Sequence, residues 1–212
     1  MGLFVTLEGI DGAGKSTQAR LLAERLRARG HDVLATREPG GAPGAEEIRR
    51  LLVEGAPGRW SPETELLLFT AARRDHVERV IGPALARGAV VVCDRFVDST
   101  RAYQGEGRLR AAVDRLHEMM IGVDPDLALV LDMDPDASLG RSETKAAVRA
   151  RGREPVENRF EQRGSGFQAE MRRAFLAIAA AEPGRCPVID AARPVEVVAE
   201  DVWQAVRGQL GA

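Results

Sequence analysis

The chain has 212 residues, 44% hydrophobic and 29% charged, with a net charge of −2. This length is enough to bury one full core and predicts a single domain with at most an insertion. The balanced charge excludes nucleic-acid binding driven by overall charge, and no run approaches the roughly 18 apolar residues of a membrane span.

Met1-Gly2-Leu3 runs straight into an apolar, β-prone stretch, Leu3 to Leu7, without a signal-peptide pattern, so the expected compartment is the cytoplasm. Gly9 to Thr17 follows, reading Gly-Ile-Asp-Gly-Ala-Gly-Lys-Ser-Thr and matching G-x-x-x-x-G-K-[ST]. Apolar residues at helical spacing then run from Ala19 to Arg29. The motif thus joins a strand to a helix, the context a phosphate loop requires. Its glycines let successive backbone N–H groups turn inward on phosphate oxygens, and the helix N-terminus adds roughly half a positive charge. Gly9, Ile10, Asp11, Gly12, Ala13, Gly14, Lys15, Ser16 and Thr17 are therefore the expected cradle of a nucleoside triphosphate. Lys15 places a cation on the outer phosphates, and Ser16 offers its hydroxyl to magnesium. Among 30 Lys and Arg residues only Lys15 and Lys145 are lysines, so position 15 uses a compact point charge where the chain otherwise uses guanidinium.

His31 to Arg37 reads as a second strand, ended by Glu38-Pro39-Gly40-Gly41. Helical spacing resumes from Ala45 to Glu54, with Ile48, Leu51 and Leu52 on one face. Ser61-Pro62 is a capping hydroxyl followed by proline at the first helical position, and opens a helix towards Ala86 that Pro83 bends or ends. Ala89 to Cys93 is a short β-branched run of the kind buried on both faces of a parallel sheet. Asp94 and Arg95 stand at its carboxyl end, where open α/β sheets bind ligands. Leu109 to Ile121 is helical by pattern, and Asp126 to Asp132 is another buried strand. A helix from about Pro135, an arginine-rich segment from Arg141 to Arg163 and a long helix with the core stripe Phe167, Met171, Phe175 and Ile178 come next. Cys186 to Ile189 is a fifth strand, closed by Asp190. Pro194 opens the last helix, with Val195, Val198, Val202, Val206 and Leu210 expected to face inward. Strand and helix alternate five times, which predicts a parallel sheet with helices on both faces. Cys93 and Cys186 have no Cys or His at metal spacing and read as reduced, buried thiols.

A phosphate loop alone leaves kinase, ATPase and switch protein open. A kinase also needs a second site for its acceptor, and Arg37, Arg73 and Arg95 can converge on the carboxyl edge of the sheet. Guanidinium groups grip phosphate bidentately, so three of them suit an anionic acceptor.

The motifs then carry a resemblance. Glu8-Gly9-Ile10-Asp11-Gly12-Ala13-Gly14-Lys15-Ser16-Thr17, Thr36-Arg37-Glu38-Pro39-Gly40-Gly41, Leu68-Phe69-Thr70-Ala71-Ala72-Arg73, Asp94-Arg95-Phe96 with Ser99-Thr100, and Ala102-Tyr103-Gln104-Gly105 resemble the bacterial thymidylate kinase family. Leu131-Asp132, Asp134-Pro135, Asn158-Arg159-Phe160-Glu161 and Asp190-Ala191 continue the match in order. The resemblance implies a three-layer P-loop kinase fold of class α/β, a five-stranded parallel sheet with a short arginine-rich lid at about 141–158. It implies transfer of the γ-phosphoryl of ATP to dTMP, giving dTDP for dTTP synthesis, with magnesium, in a homodimer. The implied acceptor set is Asp11, Arg37, Glu38, Phe69, Arg73, Arg95, Ser99, Thr100, Tyr103 and Gln104. Within it Phe69 stacks on thymine, Arg73 reaches the base edge, Thr100 and Gln104 complete the base pocket, and Tyr103 stands near the sugar 2′ position. Arg37 and Arg95 hold the acceptor phosphate, while Ser16 and Asp94 organise magnesium. Lys15, Arg95, Asp94 and Arg153 are the implied catalytic residues, and Arg141 joins the nucleotide-binding set.

Two neighbouring classes also fit a phosphate loop on this scaffold: another nucleotide or deoxynucleoside kinase, and a nucleotide-binding switch. A deoxynucleoside kinase would want a base carboxylate for a neutral hydroxyl, and a switch would not need the second pocket. The attacking phosphate oxygen of dTMP is already anionic, so no general base is required, and His31, His76 and His117 read as surface or helix residues. Positions 10 to 13 hold no basic residue. The family's alternative is a cation on the lid, which points to Arg149, Arg151, Arg153 or Arg159, with Arg153 nearest the middle of the segment. The segment is several residues longer than the family's compact lids, and Asn158 stands where Asp is frequent.

Overall fold

Alternation along the two central strands decides the layering. In the computed structural model, which describes residues 2–56, 58–105, 107–140 and 164–210, Val5 and Leu7 of β1 (Phe4–Glu8) point into one core with Val90 and Val92 of β3 (Val90–Asp94). Phe4, Val91 and Cys93 point into another, with Val77, Ile81, Ala84, Phe96, Val97 and Ile121. Both faces of the sheet are therefore covered, and β1 is buried along its whole length, as a central parallel strand must be.

The remaining strands are β2 (Val33–Arg37), β4 (Leu127–Asp132) and β5 (Val188–Asp190), and all five pair in parallel in the order β2-β3-β1-β4-β5. The chain crosses from one side of β1 to the other between β3 and β4. The carboxyl ends of β1 and β3 thus lie at the reversal point where ligands bind in open sheets.

The helices are α1 (Lys15–Arg27), α2 (Pro43–Val53), α3 (Pro62–His76), α4 (Gly82–Ala86), α5 (Val97–Tyr103), α6 (Leu109–Met120), α7 (described over 135–140), α8 (Gly164–Ala181) and α9 (Val195–Arg207). The Ser61 side chain accepts from the Thr64 N–H and caps α3, with Pro62 at its first position. A single π-type turn, Val77–Ile81, separates α3 from α4. Pro83 has no N–H to give to the carbonyl four residues back and its ring crowds that carbonyl, so the turn widens and the Gly82 N–H bonds to Val77 O instead. Pro83 does not end the helix path, which runs through the π-type turn into α4.

Two expectations are corrected by packing. Leu51 is 39% exposed while Leu52 is fully buried, so the inner face of α2 is narrower than its apolar pattern. Val195, the first residue of α9, is 44% exposed, while Val198, Val202 and Val206 do face inward. The short helix α5 has no strong periodic signal of its own, and its register is set by Val97 and Ala102 reaching into the two cores. The expected stripe residues Met171, Phe175 and Ile178 on α8 are buried in the core that covers β4. The arginines Arg141, Arg149, Arg151, Arg153 and Arg159 lie outside the described residues. Among the described residues no helix is long and apolar enough to cross a membrane.

Candidate active site

The loop between β1 and α1 is shaped by three glycines with positive φ, Gly9 at 130°, Gly12 at 82° and Gly14 at 96°. At Gly9 a Cβ would fall 2.5 Å from Leu131 O on the adjacent strand, and at Gly12 it would run into the Ser138 carbonyl. Both the left-handed backbone and the close approach require glycine there. Helix α1 begins without a capping side chain and without an acid in its first turn, so its free N–H groups suit an anion.

Lys15 is 6% exposed, and its Nζ donates to Ile10 O at 2.7 Å, folding the side chain back over the loop. Burial, and after it the nearby Arg95 cation, push its pKa down to about 8. The Ser16 hydroxyl donates to Asp94 Oδ2 at 2.5 Å, so the expected magnesium pair meets at the carboxyl edge of β3.

Arg95 is the hub of the residues expected on the acceptor side. Its backbone lies at φ 74°, an uncommon conformation for a residue with a side chain, and its N–H donates to Leu7 O. This sends its guanidinium back across β1. Nη1 donates to Gly9 O at 3.1 Å and to Ser99 Oγ at 2.9 Å, and Nη2 to Asp11 Oδ1 at 2.5 Å. Asp11 also meets the Tyr103 hydroxyl at 3.4 Å and Gln168 through both its backbone N–H and its carboxylate, and its carbonyl accepts from Ser138 Oγ. Burial works against the ionised form of Asp11, but Arg95 and then Lys15 outweigh it and hold the carboxyl below its usual range. The Tyr103 ring packs edge-on against Phe167 and Phe175, and burial pushes its phenol pKa up.

A second cluster lies along α3 and α5. Arg73 is 4% exposed; its Nε donates to Glu38 Oε2 at 2.7 Å and its Nη2 to Thr100 Oγ1 at 2.9 Å, with the guanidinium 4.9 Å above the Phe96 ring. Phe69, half-buried, stands one helical turn before Arg73 on α3. Gln104 is buried at the end of α5. Arg37 sits opposite Asp94 at the carboxyl end of β2 but remains half-exposed and pairs with Glu46 at 3.0 Å.

His76, expected as a surface or helix residue, is a helix residue and not a surface one. It lies in α3, fully buried, with Nδ1 3.2 Å from Glu38 Oε1 and Nε2 2.8 Å from Thr36 Oγ1. The tautomer that satisfies both carries its proton on Nδ1, leaving Nε2 to accept from the threonine. His76 and Arg73 thus grip the two oxygens of Glu38 from one helix. His117 is also buried, against Asp124 at 3.0 Å. Sequence reasoning also missed Glu8, Ser138 and Gln168 as partners of the site. Only the position of Glu8 next to the loop hinted at it; the other two lie 127 and 157 residues from Asp11 along the chain.

A family model described as Thymidylate kinase matches residues 7–202. Thymidylate kinase of Ruegeria pomeroyi is 60% identical over 99% of this chain and 96% of its own length, and that of Caulobacter vibrioides is 52% identical over 99% and 98%. The crystal structure of thymidylate kinase from Ehrlichia chaffeensis superposes with a TM-score of 0.75 at 34% identity, covering 97% of this chain and 98% of that one. By its sequence, its fold and the order of its motifs, the chain belongs to the thymidylate kinase family.

Proposed function

We propose that the chain transfers the γ-phosphoryl group of ATP to dTMP, giving ADP and dTDP in dTTP synthesis. A phosphate oxygen of dTMP forms the new bond to the γ-phosphorus as the bond to the β–γ bridging oxygen breaks and leaves with ADP. The observation that carries the reading is the Asp11–Arg95 contact at 2.5 Å: a residue of the donor loop is bound to the arginine of the acceptor side, so one floor serves both substrates. Such a reaction needs positioning and charge neutralisation far more than covalent help. In this reading Lys15 and the N–H groups of the loop hold the donor phosphates, Arg95 with Arg37 holds the acceptor phosphate, and Phe69, Arg73, Thr100 and Gln104 form the base pocket. Tyr103 crowds the 2′ position of the sugar.

Ser16 and Asp94 would hold magnesium. Their hydroxyl and carboxylate oxygens suit a hard cation, which takes the rest of its shell from phosphates and water. Magnesium supplies charge neutralisation on the donor phosphates when bound. Arg141 and Arg153 belong to the same proposal as the cations that reach the nucleotide and the transferred group from the lid segment of this single domain. A homodimer is supported by Leu51 and Leu67, 39% and 57% exposed on the adjacent helices α2 and α3. The free, buried Cys93 and Cys186 fit a reducing cytoplasm.

A coupled ADP-release assay with ATP, magnesium and a panel of nucleosides and monophosphates tests the function. Turnover is expected with dTMP; none with dTMP but turnover with another acceptor would overturn the assignment. Phe69→Ala is expected to raise KM for dTMP while leaving KM for ATP unchanged, since a base stack is worth roughly 1–3 kcal/mol. An equal rise for both nucleotides would remove Phe69 from the base pocket.

A further inference from the structure

Glu8, the last residue of β1, is fully buried, yet no substrate group is assigned to it. Both its carboxylate oxygens are used. Oε1 accepts from the Phe96 N–H at 2.8 Å, and Oε2 accepts from the Ser99 hydroxyl at 2.6 Å. The same Ser99 oxygen accepts from Arg95 Nη1 at 2.9 Å. A serine hydroxyl has one proton and two lone pairs. The proton goes to Glu8, because a guanidinium accepts nothing, and this turns a lone pair towards Arg95. The Ser99 proton and one of its two lone pairs are thereby committed inside the protein, which places Ser99 between Glu8 and Arg95.

We propose that Glu8 is a positioning residue for phosphoryl transfer: by taking the Ser99 proton and the Phe96 N–H it orients the Ser99 oxygen on the Arg95 guanidinium and holds that guanidinium over Asp11 and the acceptor phosphate. The proposal rests on Arg95 holding that phosphate. Two features make the arrangement demanding. Arg95 is held with a positive φ, so its aim depends on contacts made after the strand ends. Its three side-chain partners also differ in strength, the Tyr103 hydroxyl lying at 3.5 Å while Ser99 and Asp11 are within 2.9 Å.

The charges around Glu8 make the relay pH-sensitive. Burial, and next the Asp98 carboxylate on α5, push its pKa up to about 7, against the Ser99 hydroxyl, Arg95 and the Phe96 N–H. Asp98 is itself clamped by Arg101 and Arg185. Lys15 from α1 and the thiols of Cys93 and Cys186 are the other titratable groups within its field. As the pH falls through about 7 the carboxylate takes a proton, the Ser99 hydroxyl loses its acceptor and the Arg95 contact loosens. An acid limb in kcat/KM for dTMP is the result. The second ionisation of a phosphate monoester, near 6, adds its own limb but adds it equally to every variant.

The test compares Glu8→Gln, Ser99→Ala and the double variant across pH 5.5–9, with KM for dTMP and for ATP measured separately. The glutamine keeps an oxygen for Phe96 but presents its NH₂ to Ser99, leaving the serine proton without an acceptor. Each single variant is expected to lose about 10–100-fold in kcat/KM for dTMP, the scale on which losing an outer partner of a site ligand is felt. KM for ATP is expected to stay within about two-fold, the limb near pH 7 to flatten, and the double variant to lose no more than the worse single one, because both act through one contact. Losses that multiply in the double variant, or a wild-type limb in Glu8→Gln, would overturn the proposal. Should Glu8→Gln fail to fold by thermal melt, Ser99→Ala decides alone: it leaves Glu8 in place, and a retained limb overturns the relay. Arg95→Ala separates the underlying assignment. Unchanged dTMP kinetics there would remove Arg95 from the acceptor site, whereas a severe loss there with near wild-type single variants would sink only the relay.

Discussion

Lys15→Ala is expected to lower kcat by on the order of 10² or more, the cost of deleting one preorganised electrostatic contact to the transferring group. The side chain is already bent back onto Ile10 O at 2.7 Å, so it waits over the loop instead of searching for it. Its environment adds a second, independent readout. Burial and Arg95 bring its pKa down to about 8, so in the empty site the ammonium loses its proton as the pH rises through that value. A polyphosphate anion restores the charged form. Nucleotide binding near pH 8 is therefore expected to take up part of a proton, and affinity for ATP to weaken as the pH rises further. Titration calorimetry in buffers of different ionisation enthalpy measures the uptake, which Lys15→Ala should abolish. Proton release at pH 8, or the same uptake in the variant, would contradict this account of Lys15.

Arg95→Ala is expected to cost about 10²–10³ in kcat/KM for dTMP, by comparison with removing a single donor that meets developing charge. The loss has two parts. One is the grip on the acceptor phosphate proposed for Arg95. The other is Asp11, which loses its close cation at 2.5 Å and is left with Tyr103, Gln168 and Lys15 to keep it ionised. Breaking one side of such a partly buried pair costs more than never having built it. Arg95→Lys should recover little, since a single ammonium cannot reach Gly9 O, Ser99 and Asp11 at once. A lysine variant with near wild-type kinetics would show that charge alone, not the planar fork, is what the site uses.

The two sites differ in how far they were legible in the sequence. The phosphate loop is contiguous: nine residues, three of them glycines at positions that demand positive φ, announce their own backbone and therefore their ligand. The same holds for Ser61-Pro62, where the cap is a hydrogen bond across three residues. The proposed acceptor side draws on β2, α3, β3 and α5, and its motifs could be recognised one by one without revealing who touches whom. His76 shows the difference most plainly. A histidine in a helix carries no local signal, and only the packing of α3 against the end of β2 turns it towards Glu38 and Thr36.

The sequence by itself determined the elements that depend on neighbours in the chain: β-branched runs for the central strands, the glycine loop, the proline positions and the alternation that makes a parallel sheet. Short-range sterics and hydrogen bonds decide those, and they are written within a few residues. The tertiary structure alone decided that Asp11, Arg95, Ser99 and Glu8 form one chain of hydrogen bonds, with links spanning 84 and 91 residues of sequence. Those links exist because β1 and β3 are neighbours in the sheet, which brings the carboxyl end of one strand beside the loop that follows the other.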